Sequence, residues 1–233
     1  MITLYQYAPR IGLRSPNPFC TKVENFLRIA RLDFRSEAFP FPEQVKGKQL
    51  PLLVDDDQLL DISAEMLSYL TETYELELDT HLTKQNATTA LILIHLLEDN
   101  LYWCLIHNLW VRDESWDATR NAFFGHLSAV KRYVRAGSVR RQMKRQLAAH
   151  KVGKLSRDEV DQLSFSSMKT LSGLLADHRF IMGDQISSYD AIAHAFLSCI
   201  LMTPLETSVS DSAREHSNLV RYCDRMQDYI YGT

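Results

Sequence analysis

Between Tyr7 and Cys20 the chain carries a run of residues suited to holding a sulfur anion. Ser15-Pro16-Asn17-Pro18-Phe19-Cys20 opens a helix soon after a first strand. A helix N-terminus presents unpaired amides and a partial positive charge, so a thiolate set beside it is stabilised. A dithiol exchange turn exploits this with two cysteines, but Asn17 stands where the first sulfur would be. Disulfide exchange is therefore not expected here. Holding a thiolate that belongs to another molecule is still open to this turn. Ser15 and Asn17 are the candidate donors, with Tyr7 at the strand end as a third. Ser15 and Asn17 also suit a plain helix cap. Cys20, one turn in, is expected to face the core rather than to react.

Three further stretches carry side chains or backbone with a possible role. In Gln49-Leu50-Pro51-Leu52 a proline enters a strand after a loop, a setting that suits a cis peptide bond. Such a bond lets the preceding backbone, that of Leu50, pair with an extended ligand. In Asp61-Ile62-Ser63-Ala64, Ser63 is expected to cap a helix and to offer a hydroxyl and amides to a carboxylate. Ser187 and Asp190 stand at capping-box spacing before a strongly apolar run and are read as structural.

The elements that must position these residues emerge from the pattern. Ile2 to Tyr7 reads as a strand. Val23, Phe26, Leu27 and Ala30 give a helical period after Pro18, and Leu32 to Ser36 returns to a strand pattern. Phe39 to Lys46 reads as a connector with a short helix. Leu52-Leu53-Val54 and Gln58-Leu59-Leu60 flank the acidic turn Asp55-Asp56-Asp57, and a helix comes next with Met66, Leu67 and Leu70 on its apolar face. The order βαβ, connector, ββα is thioredoxin-like and spans 1–76. A polar, acidic linker over 75–84 leads to an all-α region over 84–233. Its helices are expected at 84–111, 115–136, 138–150, 156–178, 187–202 and 212–230.

Of 233 residues, 45% are apolar and 24% charged, and the net charge is -3, which suits a soluble globular chain with no global pull toward nucleic acid. Cys20, Cys104, Cys199 and Cys223 are scattered, without metal-ligand spacing, so free thiols in a reducing, cytoplasmic setting and no metal are expected. Met1 to Tyr7 runs straight into a strand, so no signal peptide is expected there. The most apolar stretch, Ala90 to Leu109, contains His95, Glu98 and Asp99 and reads as a core helix rather than a membrane span. From Ala118 to Arg157 there are eleven Lys or Arg and no acidic residue. Tyr133, Val134, Val139, Met143 and Leu147 interrupt them at helical spacing, so a solvated helix face is the expectation, with phosphate, anionic lipid or an acidic partner as the functional options.

The chain resembles the glutathione-transferase superfamily, in the branch that holds metaxin-like and failed-axon-connection-like proteins and their bacterial relatives. Asn17 to Arg28, Ser63 with Tyr69-Leu70, Gly153 through Asp190 and Asn218 to Met226 carry the likeness. The resemblance implies a homodimer with glutathione as co-substrate, bound between the turn, Leu50-Pro51 and Ser63. Leu50 would offer its backbone to the cysteinyl part and Ser63 would take the γ-glutamyl carboxylate. A second, apolar pocket for a small hydrophobic electrophile would come from Trp103, His107 and Trp110 on the long helix. Two positions depart from the family pattern: Asn17 replaces a serine and Ile62 replaces an acidic residue. Conjugation or reduction of electrophiles with glutathione is the first functional expectation. A non-catalytic, metaxin-like assembly protein is the second, and a single-cysteine oxidoreductase using Cys20 the third.

Overall fold

In the computed structural model, residues 1–39 and 49–232 are described. The connector expected over 39–46 lies, after residue 39, outside them. Strand β1 (Ile2–Tyr7) alternates buried and half-buried side chains, as a strand with one covered face must. Helix α1 (Pro18–Ile29) begins on a proline that needs no donor. Strand β2 (Phe34–Phe39) then pairs with β1 in parallel. Strands β3 (Leu52–Asp55) and β4 (Gln58–Leu60) form a hairpin around Asp56 and Asp57, with Asp56 at a positive φ of 48°. β3 pairs antiparallel with β1, giving the sheet order β2-β1-β3-β4. Helix α2 (Ser63–Thr73) closes this layer, with Met66 and Leu70 fully buried.

The rest is helical. Helix α3 (Lys84–Val111) is long and apolar enough by length and composition to cross a membrane. Here Leu93, Leu97, Leu101 and Cys104 are fully buried among the other helices, so within this fold it is a core helix. It contains two wide π-type stretches, His95–Leu101 and His107–Val111. Helices α4 (Asp113–Phe124) and α5 (Ala129–Ala149) come next. The sequence pattern puts a break between 136 and 138, whereas the chain breaks over 125–128. The Arg132 guanidinium donates to the carbonyls of Gly125 and Leu127 and so closes the turn there. Gly137, the apparent breaker, sits inside α5, where its small size costs little more than propensity. Helix α6 (Arg157–Leu175) and helix α7 (Ser188–Leu201) match the expected pattern. The last predicted helix divides into α8 (Ser208–Arg214) and α9 (Ser217–Tyr231).

α7 is the middle of the helical layer, buried over nearly its whole length. Ser187 and Asp190 at its N-terminus are fully buried, so the donors there need acceptors from the protein. Asp190 Oδ2 accepts from the amide and hydroxyl of Ser187 at 2.9 and 3.0 Å. Oδ1 accepts from the amide of Ile181 at 2.8 Å and the hydroxyl of Tyr222 at 2.9 Å. Burial pushes the Asp190 carboxyl above its ordinary value, and these donors pull it part of the way back. Asp79, in the linker, accepts from the amide and hydroxyl of Ser188 at 2.8 and 2.6 Å. The linker is thus pinned to the same helix end. Before it, Phe180 and Gly183 exchange backbone hydrogen bonds, and Gly183 holds a φ of 134° that a side chain would strain.

α1 packs between the sheet and α7. The Asn25 Nδ2 group donates to the Ala191 carbonyl and to His194 Nδ1, both at 3.1 Å. The Tyr231 hydroxyl donates to Asn25 Oδ1 at 2.7 Å, which fixes the amide orientation and makes His194 Nδ1 an acceptor. Fully buried, His194 has its pKa lowered to about 4. A histidine that must stay neutral in the folded state favours unfolding once the unfolded chain can protonate it. Stability should therefore fall as pH drops from about 6.5 toward 4, by about 2 kcal/mol at pH 5. Urea melts at pH 7 and pH 5 check this, and His194→Gln should remove most of the difference between them.

Candidate functional site

The sheet topology gathers the sequence-predicted residues at one edge. β1 ends at Tyr7 and leads to the turn before α1. β3 runs antiparallel to β1, so Leu50 and Pro51 at its entry lie beside the end of β1. β4 runs antiparallel to β3, so Ser63, just past β4, emerges at the same edge. The Leu50–Pro51 peptide is cis, as its position in the sequence suggests. Leu50 and Leu52 pack on Cys20 together with Tyr5 and Tyr7, which ties this entry to the turn.

Asn17 caps α1. Its Oδ1 accepts from the amides of Phe19 at 2.8 Å and Cys20 at 3.2 Å. That occupies the oxygen and leaves the two N–H donors of Nδ2 without a partner among the described residues. Ser15 is placed differently from the sequence expectation. It is fully buried, its hydroxyl faces the Cys20 thiol, and the same oxygen accepts from the Asn17 amide at 3.4 Å. The turn folds inward at Ser15 because Thr21 donates to the carbonyls of both Ser15 and Asn17. A hydroxyl held there serves the interior, so of the two candidate donors Asn17 is the available one. Cys20 is fully buried, and burial pushes its thiol up to about 12. Burial likewise raises the Tyr7 phenol, which remains a neutral donor.

Ser63 is not the cap of α2. Ile62 holds the cap position and offers no side-chain hydrogen bond, while Ser63 is the first helical residue. The sequence favours Ser63 as cap by residue type, but the backbone turns helical one residue sooner. Its hydroxyl has no hydrogen-bond partner among the described residues. Ile62 is exposed at this edge.

Trp103, His107 and Trp110 do not face the turn. Trp103 stacks on His150 at 4.6 Å, and Trp110 is buried against Trp116, Phe123 and Phe124. His107 is buried, and burial first, then Arg112, lowers its pKa. Trp110 fastens α3 to α4, and Trp103 fastens it to the end of α5. The aromatic side chain of α3 that reaches the turn is Tyr102, 5.0 Å from Phe19, which also meets Phe196 at 5.5 Å. Burial pushes the Tyr102 phenol up to about 12. The first π-type stretch, His95–Leu101, inserts a residue just before it and rotates Tyr102 by about 100° relative to the opening turns of α3. Phe19, next to the cap, is the signal in the sequence that an aromatic wall begins here.

Two family models match, described as glutathione S-transferase N-terminal domain over residues 18–115 and glutathione S-transferase, C-terminal domain over residues 166–226. The chain belongs to the glutathione S-transferase family. Among its relatives is the isoprene-epoxide–glutathione S-transferase of Rhodococcus sp. (strain AD45), 29% identical over 97% of this chain and 98% of that protein. Failed axon connections of Drosophila melanogaster is 27% identical over 99% of this chain, which spans 58% of that longer protein. Solved transferases share the fold. The Ceriporiopsis subvermispora enzyme in complex with glutathione superposes with a TM-score of 0.67 at 14% identity, covering 98% of this chain and 97% of its own. GSTFuA2 of Phanerochaete chrysosporium gives 0.66 at 14% identity, covering 100% and 99%.

Within this transferase fold all four cysteines are free and buried. Burial raises the thiols of Cys20, Cys104, Cys199 and Cys223 alike. The native protein should therefore react negligibly with a thiol reagent such as DTNB, and all four cysteines should titrate on unfolding. Fast labelling of Cys20 in the folded protein would revive a cysteine-based oxidoreductase.

Proposed function

We propose that this protein conjugates or reduces small hydrophobic electrophiles with glutathione, using Asn17 as the thiolate donor. The observation that carries this is the division of labour within one side chain. Asn17 Oδ1 is taken by the amides of Phe19 and Cys20, which leaves Nδ2 as a donor at the positive end of α1. A thiolate beside it gains a hydrogen bond and the helix field, and so ionises near neutral pH. Leu50, before the cis bond, would pair its backbone with the cysteinyl part of glutathione. Ser63 and the first amides of α2 would receive the γ-glutamyl carboxylate. The electrophile would sit over Phe19 and Tyr102, and a small epoxide, in keeping with the Rhodococcus relative's name, is the first substrate to try.

Asn17→Asp isolates the donor from the cap. Aspartate caps a helix as well as asparagine but sets a negative charge against the thiolate. Its stability should match the parent, while kcat/KM with glutathione and a general aryl halide falls about a hundredfold or more. Asn17→Ala should lose a similar share of activity and about 1 kcal/mol of stability. Full activity in Asn17→Asp would rule out this donor. Absence of glutathione binding in the parent protein would favour the second reading.

That second reading is a non-catalytic assembly protein. Ile62 supports it, since it stands where the family pattern has an acidic side chain beside the γ-glutamyl amine. Either reading suits a homodimer in a reducing, cytoplasmic setting. Leu91 and Ile92 of α3 are exposed together and offer it an apolar face. Leu91→Glu with Ile92→Glu should shift sedimentation from dimer to monomer.

A further inference from the structure

Helix α5 has an outer face unlike the rest of the surface. Val130, Tyr133 and Val134 are 75, 76 and 64% exposed. Arg141, Lys144 and Arg145 continue one face farther along and are exposed as well. At 100° per residue these six side chains fall within an arc of about 120°. Tyr133 and Val134 also border a groove of about 350 Å³ against Trp116 of α4, so the apolar surface extends past the helix itself.

The arginines of α5 fall into two groups. Arg132 donates to carbonyls at the end of α4, and Arg140 donates to the Trp110 and Val111 carbonyls and to Asp113. Those two hold the fold together. Lys131, Arg141 and Arg145 have no acidic partner among the described residues, and neither do Lys151 and Lys154 just beyond the helix; Lys144 makes no ion pair there and feels Asp113 only through space. No Asp or Glu occurs from 118 to 157, although the whole chain is net acidic. The charge is segregated, and the positive part surrounds exposed apolar side chains.

We propose that the outer face of α5 docks this protein on a bilayer surface carrying anionic phospholipid headgroups. Such a surface supplies both things the face presents: a plane of negative charge for the unpaired cations and an apolar layer just beneath it for Val130, Tyr133 and Val134. A second copy of the chain does not fit, because a twofold contact would set the basic stripe against itself. Nucleic acid meets the charge but offers the two valines no apolar phase. With the rest of the chain acidic, an anionic surface would also orient the molecule with this face inward.

Co-sedimentation of the full chain with phosphatidylcholine vesicles, with and without phosphatidylserine, tests the proposal. Binding should require phosphatidylserine and weaken with added salt. Each unpaired cation near such a surface is worth about fivefold in partitioning. Arg141→Glu with Lys144→Glu and Arg145→Glu should therefore reduce it by about a hundredfold or more. Val130→Ser with Tyr133→Ser and Val134→Ser should reduce it roughly tenfold. All six side chains point to solvent, and unchanged thermal melting checks that both variants fold. As an independent readout, Tyr133→Trp should shift its emission to the blue on phosphatidylserine vesicles. Equal binding to both vesicle types, no binding to either, no blue shift, or a serine variant that binds like the parent would overturn the proposal. Tight binding of a nucleic acid in place of vesicles would also overturn it.

Discussion

A helix as apolar as α7 can be surrounded on every side only if its first turn brings acceptors into the core with it. Asp190 meets that requirement with both oxygens, which take four donors from three residues, Ile181 and Ser187 of one loop and Tyr222 of α9. Each such donor left buried and unpaired would cost about 1–3 kcal/mol. The carboxylate therefore settles where α7 begins and where the 180–187 loop and α9 meet it. Asp79 adds a second carboxylate at the same helix end and brings the linker with it. Everything that packs on α7 inherits this placement, and α1 is the first of those elements.

α1 carries the placement across to the sheet. Its far side is bonded to α7 through Asn25, and Lys22 donates to Glu98 of α3 at 2.8 Å. On the sheet side Glu24 accepts from Gln6 of β1 at 2.7 Å and from Arg28 at 2.8 Å. With both faces fixed, the N-terminus of α1 has one position, and the Asn17 cap is held there relative to the cis-Pro51 edge. The site is thus built at a junction, and its geometry depends on contacts well away from it.

How much of this is legible in the sequence varies with the kind of signal. The Ser187–Asp190 spacing and the apolar run after it state a capped, buried helix outright, because local chemistry dictates it. Pro51 is legible through its place between connector and hairpin. The break between α4 and α5 is not, because Gly137 looks like the stop while the true one depends on Arg132 reaching back from the next helix. Ser15 and Asn17 suit a helix cap or a thiolate donor equally well by residue type, and only the inward fold of the turn separates a buried hydroxyl from an available amide. The aromatic wall is misread by one residue at Trp103 for a different reason. Periodicity assumes 3.6 residues per turn, and α3 departs from that twice.

The polar side chains on α1 have a further consequence. Lys22, Glu24 and Asn25 are all buried, and most of the groups that compensate them lie in other parts of the chain. Cut at the linker, the sheet layer would expose Asn25 and Lys22 stripped of their partners, and the helical layer would lose the lid over α7. Neither piece is equipped to be an autonomous unit. In a calorimeter the two layers should melt as a single cooperative transition, with its enthalpy set by the whole chain. Exchanging one layer between relatives would succeed only when α1 and its receiving surface travel together.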